Sequence, residues 1–331
     1  MQKRLFVRYL YRQLKRKDWM LTQVRTRAKS IQELVSVDNN STGKEPGMHS
    51  SPFLIYIVAA FLAAETPTAP QWQQLPKTPA LPTPEHSGYA PVNGVRIWYA
   101  TFGRGEPVIL LHGGLANSNY WGYQVAALAK HYRVIVMDSR GHGRSTRNED
   151  PLSYHLMARD VIGLMNFLHI PKVTIVGWSD GAIVGLDMAI NYPARLSRLF
   201  AFAANSDPSG VKDTSQSPVF QEYVARAEQE YVRLSPTPDQ FKPFLQQIGK
   251  MWSSEPHFTA EQLQRITAPV WIVDGDHDEA ILRENTEFMA GEIPKAGLLI
   301  QPSVSHFSFL QDPQQFDNDL LHFLACVRGQ K

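Results

Sequence analysis

The feature of this 331-residue chain that most constrains its fold is the stretch "VTIVGWSDGAIVGLDMA", where an apolar run, a serine and a second apolar pattern follow one another. Residues 172–176 predict a short buried strand, and the apolar periodicity of residues 182–192 predicts a helix. The five residues between them, Gly177 to Gly181, form the pattern G-x-S-x-G with Ser179 at its centre. In this setting the pattern is typical of a sharp strand-to-helix turn that pushes the serine hydroxyl outward. An ordinary turn that contains a serine is the alternative.

Strand and helix signals alternate on both sides of this turn, from about residue 89 to the C-terminus. Strands are predicted in "GVRIWYATFG", "PVILLHGG", "RVIVMDSRGHGRS", "LSRLFAFAANS", "APVWIVDGDHD" and "GLLIQPSVSH". Helices are predicted at about residues 120–130, 154–168 and 316–326. Such alternation is typical of an α/β fold in which helices flank a mostly parallel central sheet.

The alternation is interrupted at about residues 206–266, where "VFQEYVARAEQEYVRL", "PDQFKPFLQQIGKMW" and "TAEQLQRI" have helical periodicity. We predict a small helical cap, inserted before the strand in "APVWIVDGDHD". Its large apolar side chains would either shape a pocket or form the core of the cap, and the sequence does not separate these two groups. The side chains in question are those of Phe220, Tyr223, Phe244, Met251 and Trp252.

A serine hydroxyl becomes an effective nucleophile when a base removes its proton, and the base needs an acid to orient it. Where this turn carries a catalytic serine, the acid and then the histidine follow it along the chain. His306 lies in the loop "SVSHFSFLQDP" after a predicted strand and is the predicted base, whereas His257 lies in the cap and His322 in the last helix. For the acid, the G-x-x-D spacing favours Asp278, and Asp276 is the alternative.

A second loop is predicted beside the serine, because "HGGL" at residues 112–115 directly follows the strand "PVILL". Backbone N–H groups from two such loops stabilise the negative charge that develops when a serine attacks a carbonyl. The predicted donors of this oxyanion hole are the amides of Gly114 and Asp180. His112 is predicted to hold the loop through hydrogen bonds of its ring rather than to act in catalysis.

Charge and cysteine content exclude several classes of protein. The first 30 residues hold ten Lys or Arg and one Asp, a net +9, which leaves −7 for the rest of a chain whose total is +2. The body therefore lacks the basic footprint of a nucleic-acid-binding domain. The single cysteine, Cys326, excludes an intrachain disulfide and a Cys-rich metal site, and the pattern H-E-x-x-H is absent. We predict no metal, no cofactor and no nucleic-acid partner, and the oligomeric state stays open.

The N-terminal part of the chain differs in composition from the rest. Residues 53–64 are consecutive apolar residues, too few to span a bilayer comfortably but of the length found in the core of a signal peptide. We therefore predict export to the periplasm or the medium, with residues 48–66 as a signal peptide or short anchor and Met48 as the true start. Residues 1–47 would then be the artefact of an upstream start. The alternatives are a cytoplasmic protein and a protein that associates with the membrane through residues 1–64.

The proline-rich stretch that follows, residues 67–88, predicts an extended linker without a core of its own. Residues 89–331 then remain as the catalytic domain, with the cap inserted in it.

Residues from about 89 to 328 resemble the α/β-hydrolase fold superfamily through "LLHGG", "DSRGHGRS", "GWSDG", "GDHD" and "SH" followed by a helix. Within it, "VTIVGWSDGAIVGLDMAINYP" and the following "FAANS" are similar to the biphenyl hydrolase-like enzymes, the valacyclovir hydrolase-type serine esterases. The resemblance implies a serine esterase without a cofactor. It also implies that the aspartate after the nucleophile, here Asp180, binds the ammonium group of α-amino-acid esters. The alternative for Asp180 is that it caps the helix.

The sequence thus predicts an enzyme that cleaves small-molecule carboxylic esters with a catalytic triad of Ser179, His306 and Asp278. Lactonases, amidases and C–C bond hydrolases use the same triad and are the alternative reactions, and a non-catalytic binding protein on the same scaffold is the remaining alternative. The residues predicted to bind the substrate are Asp180, Leu115, Trp178 and Trp252.

Overall fold

A computed structural model of the protein describes residues 69–326. The predicted signal peptide or anchor at residues 48–66 and the basic segment at residues 1–47 lie outside the described residues. Within the part of the chain that is described, no helix is both long enough and apolar enough to cross a membrane.

The described residues form one eight-stranded sheet. Its strands are β1 (His86–Val92), β2 (Val95–Phe102), β3 (Pro107–Leu111), β4 (Arg133–Met137), β5 (Val173–Trp178), β6 (Leu196–Phe202), β7 (Val270–Gly275) and β8 (Ala296–Gln301). They lie in the order β1-β2-β4-β3-β5-β6-β7-β8. The pairs β1–β2 and β2–β4 are antiparallel, and the other five pairs are parallel. The predicted mostly parallel α/β sheet is confirmed.

Helices cover both faces of this sheet. Between residues 69 and 326 they are α1 (Gly122–Leu128), α2 (Tyr154–Phe167), α3 (Asp180–Asn191), α4 (Pro218–Leu234), α5 (Phe241–Ser254), α6 (Ala260–Gln264), α7 (Arg283–Glu292), α8 (Ser308–Gln311) and α9 (Pro313–Cys326). Successive residues of a strand point to opposite faces of the sheet. Accordingly, Ile175 of β5 belongs to the apolar cluster under α2 and α3, and Val176 belongs to the cluster under α1 and α9.

The topology places four loops at one edge of the sheet, because β3, β5, β7 and β8 all run in the same direction. β3 and β5 are neighbours, so the loop after Leu111 lies beside the turn after Trp178. β7 and β8 are neighbours as well, and the loop after Gly275 therefore meets the loop after Gln301. The predicted cap is also confirmed, since α4, α5 and α6 lie between β6 and β7.

Three elements were not predicted from the sequence, and the shortest of them, α8, lies in a stretch predicted to be a loop. β1 has weak apolar alternation, with only Ala90 and Val92 buried, and it contains Pro91, which an edge strand tolerates. Helix α7 buries only Thr286 and Met289, so it lacks the apolar stripe by which an amphipathic helix is recognised.

Residues 69–85, which belong to the predicted proline-rich linker of residues 67–88, contact the folded body. Leu75 is buried in one of the two apolar clusters. The guanidinium of Arg226, on cap helix α4, donates hydrogen bonds to the carbonyl oxygens of Leu75 and Pro76. The ring of Trp72 stacks on that of His277, in the loop after β7, at a centroid distance of 4.0 Å. This segment therefore joins the cap to the body.

Candidate active site

Ser179 occupies the turn between β5 and α3 in a strained backbone conformation, with φ 54° and ψ −120°. Steric contacts explain the glycines two residues to either side. A Cβ atom on Gly177 would lie 2.4 Å from the carbonyl oxygen of Gly181, and a Cβ atom on Gly181 would lie 2.2 Å from the carbonyl oxygen of Leu111. The geometry is that of the predicted elbow, in which the serine projects outward from the end of a strand.

His306 and Asp278 form a buried pair between the loops that follow β8 and β7. The imidazole Nδ1 lies 2.8 Å from Oδ2 of Asp278, and both side chains are almost fully buried. The other oxygen, Oδ1, accepts hydrogen bonds from the backbone amides of Ala280 and Ile281 at 2.6 and 2.7 Å. Burial by itself would raise the pKa of Asp278, but His306 and these hydrogen bonds outweigh it and lower the pKa.

Three carboxylates act on the charge of His306. Burial disfavours the imidazolium, yet Asp278, Glu279 and Asp180 together outweigh it, so the pKa of His306 is raised. Glu279 also holds the backbone at this point, because its carboxylate accepts a hydrogen bond from the His306 amide at 3.1 Å. Glu279 directly follows the predicted acid in the sequence and was not itself predicted as a site residue.

The other candidate acids and bases lie elsewhere. Asp276, the alternative acid, is exposed and accepts a hydrogen bond from the Val304 amide. His257 is exposed and contacts Asp207, and His322 on α9 lies beside the ring of Trp271. Within residues 69–326, His306 is the histidine that lines the cavity in front of Ser179.

A cavity of about 540 Å³ opens in front of Ser179 and His306. The structure separates the cap side chains that the sequence could not: Phe220, Tyr223 and Trp252 line this cavity. Phe244 and Met251 lie instead in the apolar core. The predicted site residues that also line the cavity are Gly114, Leu115, Trp178 and Asp180. Asp278 does not line it and lies behind His306.

The loop after β3 approaches the serine at Gly113, where a Cβ atom would lie 3.2 Å from Cβ of Ser179, and it packs tightly at Gly114. A Cβ atom on Gly114 would lie 2.4 Å from the Trp252 ring and 2.6 Å from the Asp180 carboxylate, so a larger residue does not fit. The hydroxyl of Tyr223 donates a hydrogen bond to the carbonyl oxygen of Gly114. Asp180 begins helix α3, where the first backbone N–H groups have no partner within the helix and are available to an anion.

His112 has the structural role predicted for it. Its Nε2 accepts a hydrogen bond from the Ser139 amide at 3.0 Å, and its Nδ1 donates to the carbonyl oxygen of Gly113 at 2.7 Å. Burial lowers the pKa of His112, which keeps the ring neutral. The ring therefore fixes the loop that carries Gly114.

Asp180 presents a buried carboxylate at the wall of the cavity. It accepts hydrogen bonds from the Tyr154 hydroxyl at 2.9 Å and from Nε1 of Trp252 at 3.0 and 2.9 Å. Burial raises the pKa of Asp180 to about 6, against the effect of these two hydrogen bonds. The capping position is that of Ser179, and the alternative that the Asp180 side chain caps α3 is wrong. Tyr154, which had no sequence signal beyond its place at the start of a helix, is the partner that sequence reasoning missed.

Across the described part of the chain, no three His, Cys, Asp or Glu side chains are grouped so that they could hold a metal ion.

Known proteins resemble this chain in sequence and in fold. Residues 106–230 match a family model described as alpha/beta hydrolase fold. 3-Oxoadipate enol-lactonase 2 of Acinetobacter baylyi is 28% identical over 244 residues, which cover 68% of this chain and 91% of the relative. Serine hydrolase BPHL of Homo sapiens is 26% identical over 247 residues, which cover 70% of this chain and 84% of the relative.

Among solved structures, the meta-cleavage product hydrolase CumD of Pseudomonas fluorescens IP01 superposes with a TM-score of 0.64 at 22% identity, covering 72% of this chain and 97% of that one. This likeness shows a shared fold. Together with the family model and the related hydrolases, it shows that the chain has the α/β-hydrolase fold and is an enzyme.

Proposed function

We propose that this protein is a serine hydrolase that cleaves carboxylic esters through an acyl-enzyme on Ser179. The observation that carries the proposal is the 2.8 Å contact between His306 and Asp278, at a cavity that Ser179 also lines. The contact occupies Nδ1 of the imidazole, which leaves Nε2 as the atom that can exchange a proton with the serine. A serine, a histidine and a buried acid in this arrangement are the groups that nucleophilic acyl transfer requires.

In the first half of the reaction, Oγ of Ser179 attacks the ester carbonyl while Nε2 of His306 takes the hydroxyl proton. Asp278 orients the ring and stabilises the imidazolium that forms. The tetrahedral intermediate collapses as the C–O bond to the alcohol breaks, and His306 returns its proton to the departing alcohol. In the second half, His306 removes a proton from water, the water oxygen attacks the acyl-enzyme, and the carboxylic acid leaves as Ser179 regains its proton.

The oxyanion of each tetrahedral intermediate would be bound by the backbone amides of Gly114 and Asp180. The two amides belong to loops that adjoin at the carboxyl ends of β3 and β5, and the Asp180 amide adds the positive end of helix α3. Donors of this kind contribute about 3 kcal/mol or more each to the transition state in related chemistry.

A finer substrate class, α-amino-acid esters, is supported by the position of Asp180. Its carboxylate is adjacent in sequence to the nucleophile and lines the same cavity, and when ionised it would attract an ammonium group. The hydrogen bonds from Tyr154 and Trp252 hold it in place without supplying a positive charge. A cationic substrate could supply that charge.

Covalent labelling with a fluorophosphonate, followed by peptide mapping, tests the nucleophile. We expect the adduct on Ser179, with labelling and turnover of p-nitrophenyl esters abolished in S179A. The control is S253A, because Ser253 also lines the cavity and its hydroxyl is bonded to the Lys250 carbonyl instead. Full esterase activity in S179A would refute the nucleophile, and a folded protein that takes no label would favour the binding-protein alternative.

A substrate panel then tests the ester assignment. Neutral p-nitrophenyl esters, α-amino-acid esters, lactones, amides and a C–C cleavage substrate are compared by kcat/KM. Preferred turnover of esters supports the proposal. A clear preference for a lactone or for C–C cleavage would leave the proposed triad in place but would show that the proposed ester hydrolysis is the wrong reaction.

A further inference from the structure

A second carboxyl group lies behind the acid of the triad. Asp274 is at the end of β7, only 1% exposed, four residues before Asp278. Its Oδ1 accepts a hydrogen bond from the Gly275 amide and its Oδ2 accepts one from the Thr286 hydroxyl on α7, both at 2.9 Å. Its carboxyl group is a direct electrostatic neighbour of the carboxyl group of Asp278.

The hydrogen bonds indicate which of the two carboxyl groups holds a proton. An ionised carboxylate has no hydrogen to donate, so a hydrogen bond between two carboxyl groups needs a proton on one of them. Asp278 already receives three donors, the amides of Ala280 and Ile281 and the ring of His306. These donors stabilise its ionised form, and a proton between the two groups therefore belongs to Asp274. Burial and the neighbouring Asp278 charge both raise the pKa of Asp274, in agreement with this placement.

Charged or polar groups reach this carboxyl pair from the elements packed against it. His306 faces Asp278 from the loop after β8, and Glu279 lies on the same loop as Asp278. Lys212, from the segment leading into the cap, donates from Nζ to the backbone carbonyl of Asp278 rather than to its carboxylate. From α7 the contact is the uncharged Thr286 hydroxyl. Of these groups, only His306 forms a side-chain ion pair with Asp278.

We propose that Asp274 is a protonated positioning residue, which donates a hydrogen bond to Asp278 and so fixes the carboxylate that orients His306. The role builds on the proposed function, in which His306 is the base. The hydrogen bond that Asp274 donates spreads part of the negative charge of Asp278. This weakens the electrostatic attraction between Asp278 and the imidazolium of His306. Asp274 would thereby set the pH at which His306 becomes neutral and able to accept the serine proton.

Two substitutions at Asp274 test this role. D274N imitates the protonated acid and can still donate to Asp278, whereas D274A removes the donor. The acidic limb of the pH profile of kcat/KM reports the protonation of the free enzyme's base. We expect the acidic limb of D274N to stay at its wild-type position. The limb of D274A should move by about half a pH unit or more to higher pH, because an Asp278 carboxylate without this hydrogen-bond donor stabilises the imidazolium of His306 more strongly.

The control is T286V, which removes the other side-chain partner of Asp274 while leaving its proton for Asp278. It should leave the limb in place and lower only the thermal stability. A limb that moves to lower pH in D274N would mean that Asp274 is ionised in the native enzyme, and an unmoved limb in D274A would mean that its role is only structural. Either result would overturn the proposal.

A titration without substrate separates this proposal from the proposed function. The His306 Nδ1–H proton is followed by NMR as a function of pH in the wild-type protein, D274N, D274A and T286V, and H306Q assigns the resonance. The expected order of the imidazole pKa values is the same as that of the kinetic limbs. If that order is found but Ser179 takes no fluorophosphonate label, the proposed hydrolysis fails while the role of Asp274 stands.

Discussion

Two buried carboxylates flank Ser179 and His306, and their environments move their pKa values in opposite directions. Asp278 receives two backbone amides and an imidazole, and its pKa is lowered. Asp180 receives only the neutral donors Tyr154 and Trp252, and burial raises its pKa to about 6. Both are 4% exposed, so the degree of burial is not the cause of the difference. The number and charge of the donors decide which carboxylate stays ionised.

The donors also come from different parts of the molecule. Asp278 is held by the backbone of its own loop, which any sequence that folds this way provides. Asp180 is held by side chains from α2 and from cap helix α5, far away in the sequence. The proposed acid of the triad therefore depends on local structure, and the carboxylate at the cavity wall depends on how the cap packs over the body.

Removing the charge of Asp278 should have the largest effect on catalysis. We expect D278N to lower kcat for p-nitrophenyl esters by about 10³- to 10⁴-fold, because an amide no longer stabilises the imidazolium or holds its tautomer. The matched control is D276N, since Asp276 is exposed and carries no contact to His306 in the described structure. An equal loss in D276N, or a loss below about tenfold in D278N, would contradict the assignment of the acid.

Removing the charge of Asp180 should affect selectivity more than turnover. D180N keeps the backbone amide of the proposed oxyanion hole but loses the attraction for an ammonium group. We expect the ratio of kcat/KM for an α-amino-acid ester over that for its neutral isostere to fall by about tenfold or more. The measurement is a pair of steady-state assays at pH 7, with each variant compared on both substrates. If this ratio of kcat/KM values were unchanged in D180N, Asp180 would not contribute to substrate recognition.

The smallest predicted effect concerns stability and separates the two carboxylates without any substrate. Because the folded-state pKa of Asp180 lies above its ordinary value, its protonated form contributes stability at low pH, and this contribution is lost as the pH rises through about 6. D180N cannot ionise and should therefore raise Tm by a few degrees at pH 8 and by less at pH 5.

Thermal denaturation at the two pH values checks this sign. For Asp278, whose pKa is lowered, the relation is reversed: its charge contributes stability above the ordinary carboxyl pKa and the contribution is lost at lower pH. D278N should accordingly lower Tm at pH 8. If Tm at pH 8 changed in the same direction in D180N and D278N, the predicted contrast between the two carboxylates would be wrong.

Much of the fold could be predicted because its signals are local. The turn at Ser179 needs glycine on both sides for steric reasons, and the buried strands are continuous apolar runs. β1 and α7 escaped prediction because each buries only two side chains and neither repeats an apolar pattern. Their places depend on pairing with β2 and on packing beside β7, which are contacts between segments that a local pattern does not record.

The elbow, the proposed order of serine, acid and histidine, and the two loops beside the serine were predictable from the sequence. These follow from spacing along the chain, because strand ends and tight turns admit few residue types. The folded structure was needed to find that Asp278 rather than Asp276 contacts His306, that Tyr154 and Trp252 hold Asp180, and that Asp274 and Thr286 lie behind Asp278. Hydrogen bonds and the burial of charge depend on distances in space, and residues 26 or 72 positions apart reach those distances only when the sheet and the cap are assembled.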